Sequence, residues 1–342
     1  MAIFDLTRFS RPMLALLAVV SWPWWSLSAS AETAIHFTLD RKIDGPGAPF
    51  FLAIDKGYFQ AEGLNVTIDA ANGPLEPITR LAAGSYDMGV ADINLLIKFR
   101  DANPGTPIKA LFIVFDKPPY AIVARKSRGV AAPKDLEGKK LGAPSADGTF
   151  AQWPIFARVN NIDTAKVTIE NVGLPVREPM LAAGEVDAVT AYSFVSYVDL
   201  KNMGVPPDDL IVLLMADYGV QLYGNAIMVA PNFAAEKPEA VKGFLRAYLK
   251  ALKDTVRYPA IAIDAVLRRN SAVDKDIELE RLRMAIRDNI VTPAVRANGY
   301  GGIDPARFAA AIDQLALIYS FKAKDKAADV FDSSFLPEAG ER

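Results

Sequence analysis

Short β-rich apolar runs alternate along most of the chain with stretches whose apolar positions recur at helical spacing. The runs fall at residues 36–39, 64–68, 88–90, 108–115, 120–124, 140–142, 166–171, 188–191, 211–215 and 225–230, each bounded by Gly, Pro or Asp. Between them, residues 49–60, 75–83 and 150–159 read as helices. From Asn232 to about Phe331 the pattern turns almost wholly helical, with segments near 238–257, 259–269, 275–289 and 305–320. Pro238, Pro259 and Pro305 stand in the first turns of three of these, where a missing N–H costs little. Strands alternating with helices predict an α/β protein whose parallel or mixed sheets are covered on both faces.

The chain also echoes itself. Leu81-Ala82-Ala83-Gly84-Ser85-Tyr86-Asp87 returns one hundred residues later as Leu181-Ala182-Ala183-Gly184-Glu185-Val186-Asp187. In both copies a helix begins after a Pro (Pro74, Pro175), closes on a Gly suited to the left-handed C′ position, and leads through a turn into a short apolar strand. The echo predicts two α/β lobes on one plan, with a ligand crevice between them. In open α/β sheets the ligand meets the carboxyl ends of the strands and the helix N-termini that follow. Those loops carry Arg41, Asp44, Asn72, Gly73, Asp92, Asn94, Phe115, Asp116, Ser145, Asp147, Gly148 and Thr149 in the first half, and Tyr192, Phe194, Asp217 and Tyr223 in the second. Taken singly, each aromatic also suits a core, and each loop Asp also suits a helix cap or a turn. Taken as a set, the aromatics suit stacking against a flat ligand.

Composition removes whole classes of function. There is no Cys, so no thiolate metal site, cysteine nucleophile, disulfide or lipidated Cys; the single His, His36, leaves no histidine pair for a metal and makes a Ser-His-Asp triad a poor fit. His36 opens the first strand and reads as an exposed residue. With 38 basic and 40 acidic side chains interspersed, net charge −2, there is no basic stripe for nucleic acid. The basic residues Arg268, Arg269, Lys322, Lys324 and Lys326 read as solvated surface.

The N-terminus reads as an address. Arg8 and Arg11 precede an apolar run from Pro12 to Val20, and Ala29 and Ala31 fill the small positions of a cleavage site. The run is too short to cross a hydrocarbon core of about 30 Å as a helix. We therefore expect a cleavable signal peptide over residues 1–31, processed after Ala31, and a periplasmic mature protein that acts as a monomer. The expected lobes are residues 32–122 with 226–342, and residues 123–225.

Gly47-Ala48-Pro49-Phe50-Phe51-Leu52-Ala53-Ile54-Asp55-Lys56-Gly57-Tyr58-Phe59, followed by Glu62-Gly63-Leu64-Asn65-Val66, resembles the opening of a known family. It is similar to the solute-binding proteins of ABC importers for sulfonates, taurine, nitrate and thiamine-pyrimidine precursors, a superfamily shared with the thiamine-pyrimidine synthases. Asp87-Met88-Gly89-Val90, Asp135-Leu136-Glu137-Gly138-Lys139-Lys140-Leu141-Gly142 and Lys237-Pro238-Glu239-Ala240-Val241 continue the resemblance in order. It implies a type II periplasmic-binding fold, a small-molecule ligand, a permease partner, no cofactor, and inter-lobe crossings near residues 120–124 and 223–227.

Three departures qualify the resemblance. A Trp that the family often places after its first strand is Arg41 here. The synthases' phosphate loop, G-E-F-G, reads Ser145-Ala146-Asp147-Gly148, with an acid where a phosphate would sit. Their cofactor-binding Lys and reacting His fall on Ala91 and Leu95, and their cysteine-rich iron segment falls near residues 219–230, where no Cys exists. The resemblance then implies a binding protein rather than an iron- and pyridoxal-dependent enzyme. Asp44, Asp92, Asp116, Asp147 and Asp217 tilt the expected pocket acidic, which favours a nitrogen-containing ligand such as a pyrimidine over sulfonate or nitrate. The alternatives that stay open are a synthase-like protein, a sulfonate, taurine or nitrate carrier, and a sensor partner.

Overall fold

The echoed segments occupy equivalent places in two sheets of the same design. The computed structural model describes Met1 and residues 32–145, 147–323 and 325–342, so the expected leader lies, Met1 apart, outside the described residues. Residues 32–342 form one compact unit. The strands are β1 (Thr33–Thr38), β2 (Leu64–Asp69), β3 (Met88–Asp92), β4 (Lys109–Ile113), β5 (Tyr120–Arg125), β6 (Lys140–Ala143), β7 (Thr168–Asn171), β8 (Ala188–Tyr192), β9 (Leu210–Leu214) and β10 (Asn225–Val229). One sheet runs β2-β1-β3-β10-β4 and the other β7-β6-β8-β5-β9. In each, the first three strands are parallel and the fourth, β10 or β5, is antiparallel to its neighbours. The architecture is thus α/β with two mixed sheets.

The local chemistry of the echo repeats as well. The helices Glu76–Ala82 and Arg177–Ala183 end next to Gly84 and Gly184, whose φ of 69° and 78° is the left-handed region that favours glycine. In the first copy Asp87 brackets His36 in the middle of β1, which starts three residues earlier than the sequence pattern put it: its carboxylate accepts from the His36 N–H at 2.8 Å and its own N–H donates to the His36 carbonyl. In the second, Asp187 does the same to Lys140 at the start of β6, at 3.0 Å. Only a residue with a short acceptor side chain closes both bonds from one position.

The helical region packs mainly on the first sheet. Helix Pro238–Arg257 begins at its proline and buries Val241, Phe244, Leu245, Tyr248 and Leu252 along one face. Phe244 stacks on Phe37 of β1 at 5.1 Å, and Tyr248 tilts against Phe50 at 4.5 Å.

Several boundaries differ from the sequence pattern for local reasons. The stretch 49–60 is two helices, Ala48–Asp55 and Tyr58–Ala61, divided at left-handed Gly57. Helix Lys275–Ala285 passes into a π-turn, Ile286–Ile290, and the last long helix stops at Leu315. The residues after β3 and β8 begin full helices, Ile93–Ala102 and Ser193–Asn202, rather than loops. The crossings between the sheets are residues 114–119 and 215–224, earlier than 120–124 and 223–227, because β5 and β10 are interior strands whose first residues are already paired. No helix among the described residues is long and apolar enough to cross a membrane.

Candidate ligand-binding cleft

The carboxyl ends of the two sheets present unlike walls. In the first sheet Asp92 ends β3, Asn225 stands opposite it at the start of β10, and Asp40 follows β1. In the second sheet the corresponding pair is Tyr192, ending β8, and Tyr120, opposite it at the start of β5. Two residues further along, at the start of each helix, the contrast persists: Asn94 in the first copy, Phe194 in the second. One wall is built from carboxylates and amides, the other from aromatic rings.

Asp92 caps helix Ile93–Ala102, accepting from the Asn94 N–H at 2.7 Å and the Leu95 N–H at 3.3 Å. Burial nevertheless pushes its pKa up to about 6, against those hydrogen bonds. The Asn94 amide donates to Asp92 at 2.9 Å and to the Tyr223 carbonyl at 2.7 Å, which fixes its orientation and leaves Oδ1 buried without a partner. Asn225 Nδ2 donates to the Asp40 carboxylate at 2.7 Å, and its Oδ1 is likewise unpartnered.

Arg41 crosses from the first wall to the second. Its Nε meets Asp44 at 2.8 Å, while the guanidinium lies 5.5 Å from the Tyr192 ring centre and 5.4 Å from that of Phe194. Burial works against the charge, but Asp44, Asp40 and Tyr192 outweigh it, so the guanidinium is held protonated above its ordinary range. Asp44 is pushed up to about 6, by burial first, with Arg41 opposing and Glu278 and Asp40 adding to the rise. Burial, with the charges of Asp40 and Asp92 beside it, holds the Tyr192 hydroxyl neutral well above the usual phenol range. Arg41, Asp44 and Phe115 share a cavity of about 20 Å³ with Asp40, Phe50 and Asn225. Phe115 faces Phe194 at 6.2 Å.

The loop after β6 contributes Asp147, which caps helix Gly148–Ala151 through the Thr149 N–H at 3.2 Å. Its second oxygen takes the Thr190 hydroxyl at 3.3 Å and lies 3.8 Å from Arg177. The acid is therefore turned into its own half, and burial raises its pKa against the pull of Arg177. Thr149 and Gln152 are buried, with Oγ1 and Oε1 unpartnered. Gly148 is half-buried and a Cβ there would meet open space; Ser145 is exposed, its N–H donating to Asn171 at 3.2 Å.

Five residues expected at the cleft are engaged elsewhere. Asp116 is ion-paired with Arg307 at 2.8 Å and takes the Thr292 hydroxyl. Tyr223 accepts from the Asp304 N–H at 2.8 Å beneath the Arg307 guanidinium, which lies 3.9 Å from its ring centre. Asp217 is exposed beside Lys117 at 2.5 Å. Asn72 is exposed and donates its N–H to Glu76, and the Gly73 carbonyl takes the Glu76 N–H, so both serve the turn before helix Glu76–Ala82. Conversely, Asp40 and Asn225 line the cavity beside Arg41, and Gln152 is buried next to Thr149, though the strand-end rule singled out none of the three; Glu278 supports the loop after β1, accepting from the Gly45 N–H at 2.6 Å. Asn225 was within reach: an antiparallel strand beside β3 necessarily sets its first residue against Asp92. Among the described residues no group of three His, Asp or Glu side chains is placed to hold a metal ion.

Two sheets of one strand order, joined by two crossings and meeting at their carboxyl ends, define the periplasmic-binding-protein fold. The aliphatic sulphonate-binding protein SsuA of Escherichia coli has it too, with a TM-score of 0.69 at 14% identity over 85% of this chain and 94% of that one. Residues 47–262 match the NMT1/THI5-like family, and the chain belongs to it. It is 28% identical to the riboflavin-binding protein RibY of Chloroflexus aurantiacus over 224 residues, 65% of this chain and 62% of that protein. It is 25% identical to a 4-amino-5-hydroxymethyl-2-methylpyrimidine phosphate synthase of Schizosaccharomyces pombe over 221 residues, 62% of each. It is also 25% identical to the formylaminopyrimidine-binding protein of Halalkalibacterium halodurans over 245 residues, 69% of this chain and 72% of that one. The chain thus spans less than two thirds of the length of the first two relatives.

Proposed function

We propose that this chain is the solute-binding component of an ABC importer, and that it captures a small nitrogen-containing organic molecule, such as a pyrimidine, between two lobes. The lobes are built on the two sheets and divide at the crossings 114–119 and 215–224, so residues 120–122 go with β5 in the second lobe and Asn225 with β10 in the first, a few residues off the division at 122/123 and 225/226 that the sequence suggested. One observation carries the reading: an amide and carboxylate wall faces an aromatic wall at the carboxyl ends of the two sheets, with buried, unpartnered polar atoms on Arg41, Asn94, Asn225, Thr149 and Gln152. Flat rings stack on the second wall, and N–H groups satisfy the amide oxygens of the first. The names of RibY and the formylaminopyrimidine-binding protein, both of which refer to nitrogen heterocycles, support the same class. The sulfonate group itself offers no donor to those oxygens.

The cleft does no chemistry in this reading; lobe closure presents the loaded protein to its permease. The positions that match the synthases' cofactor Lys and reacting His are Ala91 and Leu95, and the chain has no Cys. We also propose export to the periplasm with cleavage after Ala31, which N-terminal sequencing of the mature protein tests. The ligand test is mass spectrometry of what co-purifies, followed by a thermal-shift screen. A heterocyclic amine or lactam that raises the melting temperature supports the reading. A response to taurine, alkanesulfonates or nitrate alone overturns the ligand class but not the transporter role. Bound pyridoxal phosphate or iron overturns both.

A further inference from the structure

The aromatic wall already carries a flat, nitrogen-rich group, and that group belongs to the chain itself. The Arg41 guanidinium, from the loop after β1, reaches the second sheet, 5.5 Å from the Tyr192 ring centre and 5.4 Å from that of Phe194. Both distances fall within cation–π reach. Beside it the cleft is full: the cavity that Arg41 shares with Asp40, Phe50 and Phe115 measures about 20 Å³, room for about one water molecule and not for a ring. The guanidinium is also loosely held where it stands. Nε pairs with Asp44 at 2.8 Å, but Nη1 is buried with no hydrogen-bond partner, which costs free energy. The side chain is 23% exposed, so it has a way out to solvent. The backbone beneath is tied, the Arg41 carbonyl accepting from the Ala71 N–H at 3.3 Å, so the side chain swings without moving the loop.

We propose that Arg41 fills the closed cleft before the solute arrives, and that the solute binds by displacing its guanidinium from Tyr192 and Phe194. This rests on the reading of the cleft as a solute site. It makes Arg41 an internal competitor for the aromatic wall rather than a ligand contact. Net affinity is then the difference between solute and guanidinium on the same two rings, so a molecule that stacks no better than Arg41 is refused. The carboxylates that the guanidinium leaves behind, Asp44 and Asp40, favour a solute bringing N–H donors or positive charge and oppose an anion.

The test removes the competitor and returns it as a free molecule. Arg41→Ala deletes the equivalent of ethylguanidinium. We expect millimolar ethylguanidinium to raise the melting temperature of Arg41→Ala but not of the mature parent protein, and ethylammonium, equal in charge but not flat, to raise neither. Riboflavin and an aminopyrimidine, with taurine alongside, are then titrated by calorimetry. At least one heterocycle should bind Arg41→Ala about tenfold more tightly than the parent, the worth of one cation–π contact, and added ethylguanidinium should cancel the gain. Arg41→Lys keeps a charge for Asp44 without the flat group; it should fall between the two, and it carries the comparison if Arg41→Ala is unfolded by circular dichroism. A heterocycle bound equally or more weakly by the variants, or a gain that ethylguanidinium leaves untouched, overturns the displacement while leaving the cleft a solute site. Binding of taurine alone overturns the displacement and the ligand class. Binding of no compound by any of the three proteins overturns the displacement and the solute reading with it.

Discussion

At the scale of single residues, Asp92 shows how the cleft is kept at a cost. It caps a helix and yet is buried deeply enough for its pKa to reach about 6. A carboxylate whose folded pKa lies above its unfolded value binds protons more readily when folded, so its ionisation destabilises the fold as pH rises through that interval. The penalty is full above about pH 6, shrinks as pH falls, and vanishes below the ordinary carboxylate range. Asn caps helices as well as Asp does but does not titrate. We therefore expect Asp92→Asn to be more stable than the parent at pH 7.5, by roughly 3 kcal/mol and with a correspondingly higher melting temperature, and the gap to close toward pH 4. Melting curves of the two proteins across that range check it; a gap independent of pH counts against the assignment. Gly45 makes a second residue-scale case. A Cβ there would sit 2.2 Å from the Glu278 carbonyl oxygen, a backbone atom that cannot step aside. Gly45→Ala should lower stability by roughly 2 kcal/mol or more in urea unfolding.

Residue identities at the cleft were partly legible in the sequence. The rule that ligands meet strand ends picked out Arg41, Asp92, Asn94, Tyr192 and Phe194 because each follows a recognisable strand. Asp116 and Tyr223 satisfied the same rule, yet Arg307, some eighty residues beyond Tyr223, claims both. No local pattern announces a partner so distant.

Among the elements, the two crossings behave as one unit. Gly224 N–H donates to the Phe115 carbonyl at 2.9 Å, and the Val114 and Phe115 N–H groups share the Asn225 carbonyl, so the two crossings are bonded to each other. Arg307, from helix Pro305–Leu315, fastens both: it bonds the Asp116 carboxylate and carbonyl from the first crossing and the Gln221 and Leu222 carbonyls from the second. Removing the guanidinium leaves a nearly buried carboxylate and three carbonyls short of donors. Arg307→Gln should cost about 3 kcal/mol, Asp116→Asn somewhat less, and the double variant clearly less than their sum. Additive costs in denaturant titrations would show that the two side chains do not act together. Elements were the most legible level of the sequence. Helix Pro238–Arg257 was readable to the residue, because a proline starts it and a sustained apolar stripe runs its length. Helices Ile93–Ala102 and Ser193–Asn202 escaped because their capping residues read as loop, and the π-turn at Ile286–Ile290 has no sequence signature.

For the whole molecule, helix Lys275–Ala285 ties one half to the other. Glu278 holds Gly45 beside the first sheet, while Arg281 pairs with Asp199 and Glu280 with Lys201 at 2.7 Å on the helix that follows β8. The Glu280–Lys201 pair is partly exposed and worth little to stability, but it acts across the two halves. Glu280→Lys sets two cations face to face there. We expect a larger radius of gyration by small-angle X-ray scattering with little change in melting temperature, and the difference from the parent should fade in roughly 1 M salt, where the Debye length is about 3 Å. An unchanged radius at low salt would mean that the pair does not restrain the halves.

The exchange of strands between the sheets also orders events in time. β5 follows β4 in the chain but belongs to the second sheet, and the first sheet keeps a gap between β3 and β4 until β10 arrives. As the polypeptide emerges from N- to C-terminus, the later sheet has all its strands once residue 214 is out, while the earlier one must wait for residue 229. The half that is begun first is finished last. A chain that stalls between those points carries one complete sheet and one with two unpaired strand edges, the kind of surface that recruits chaperones or aggregates.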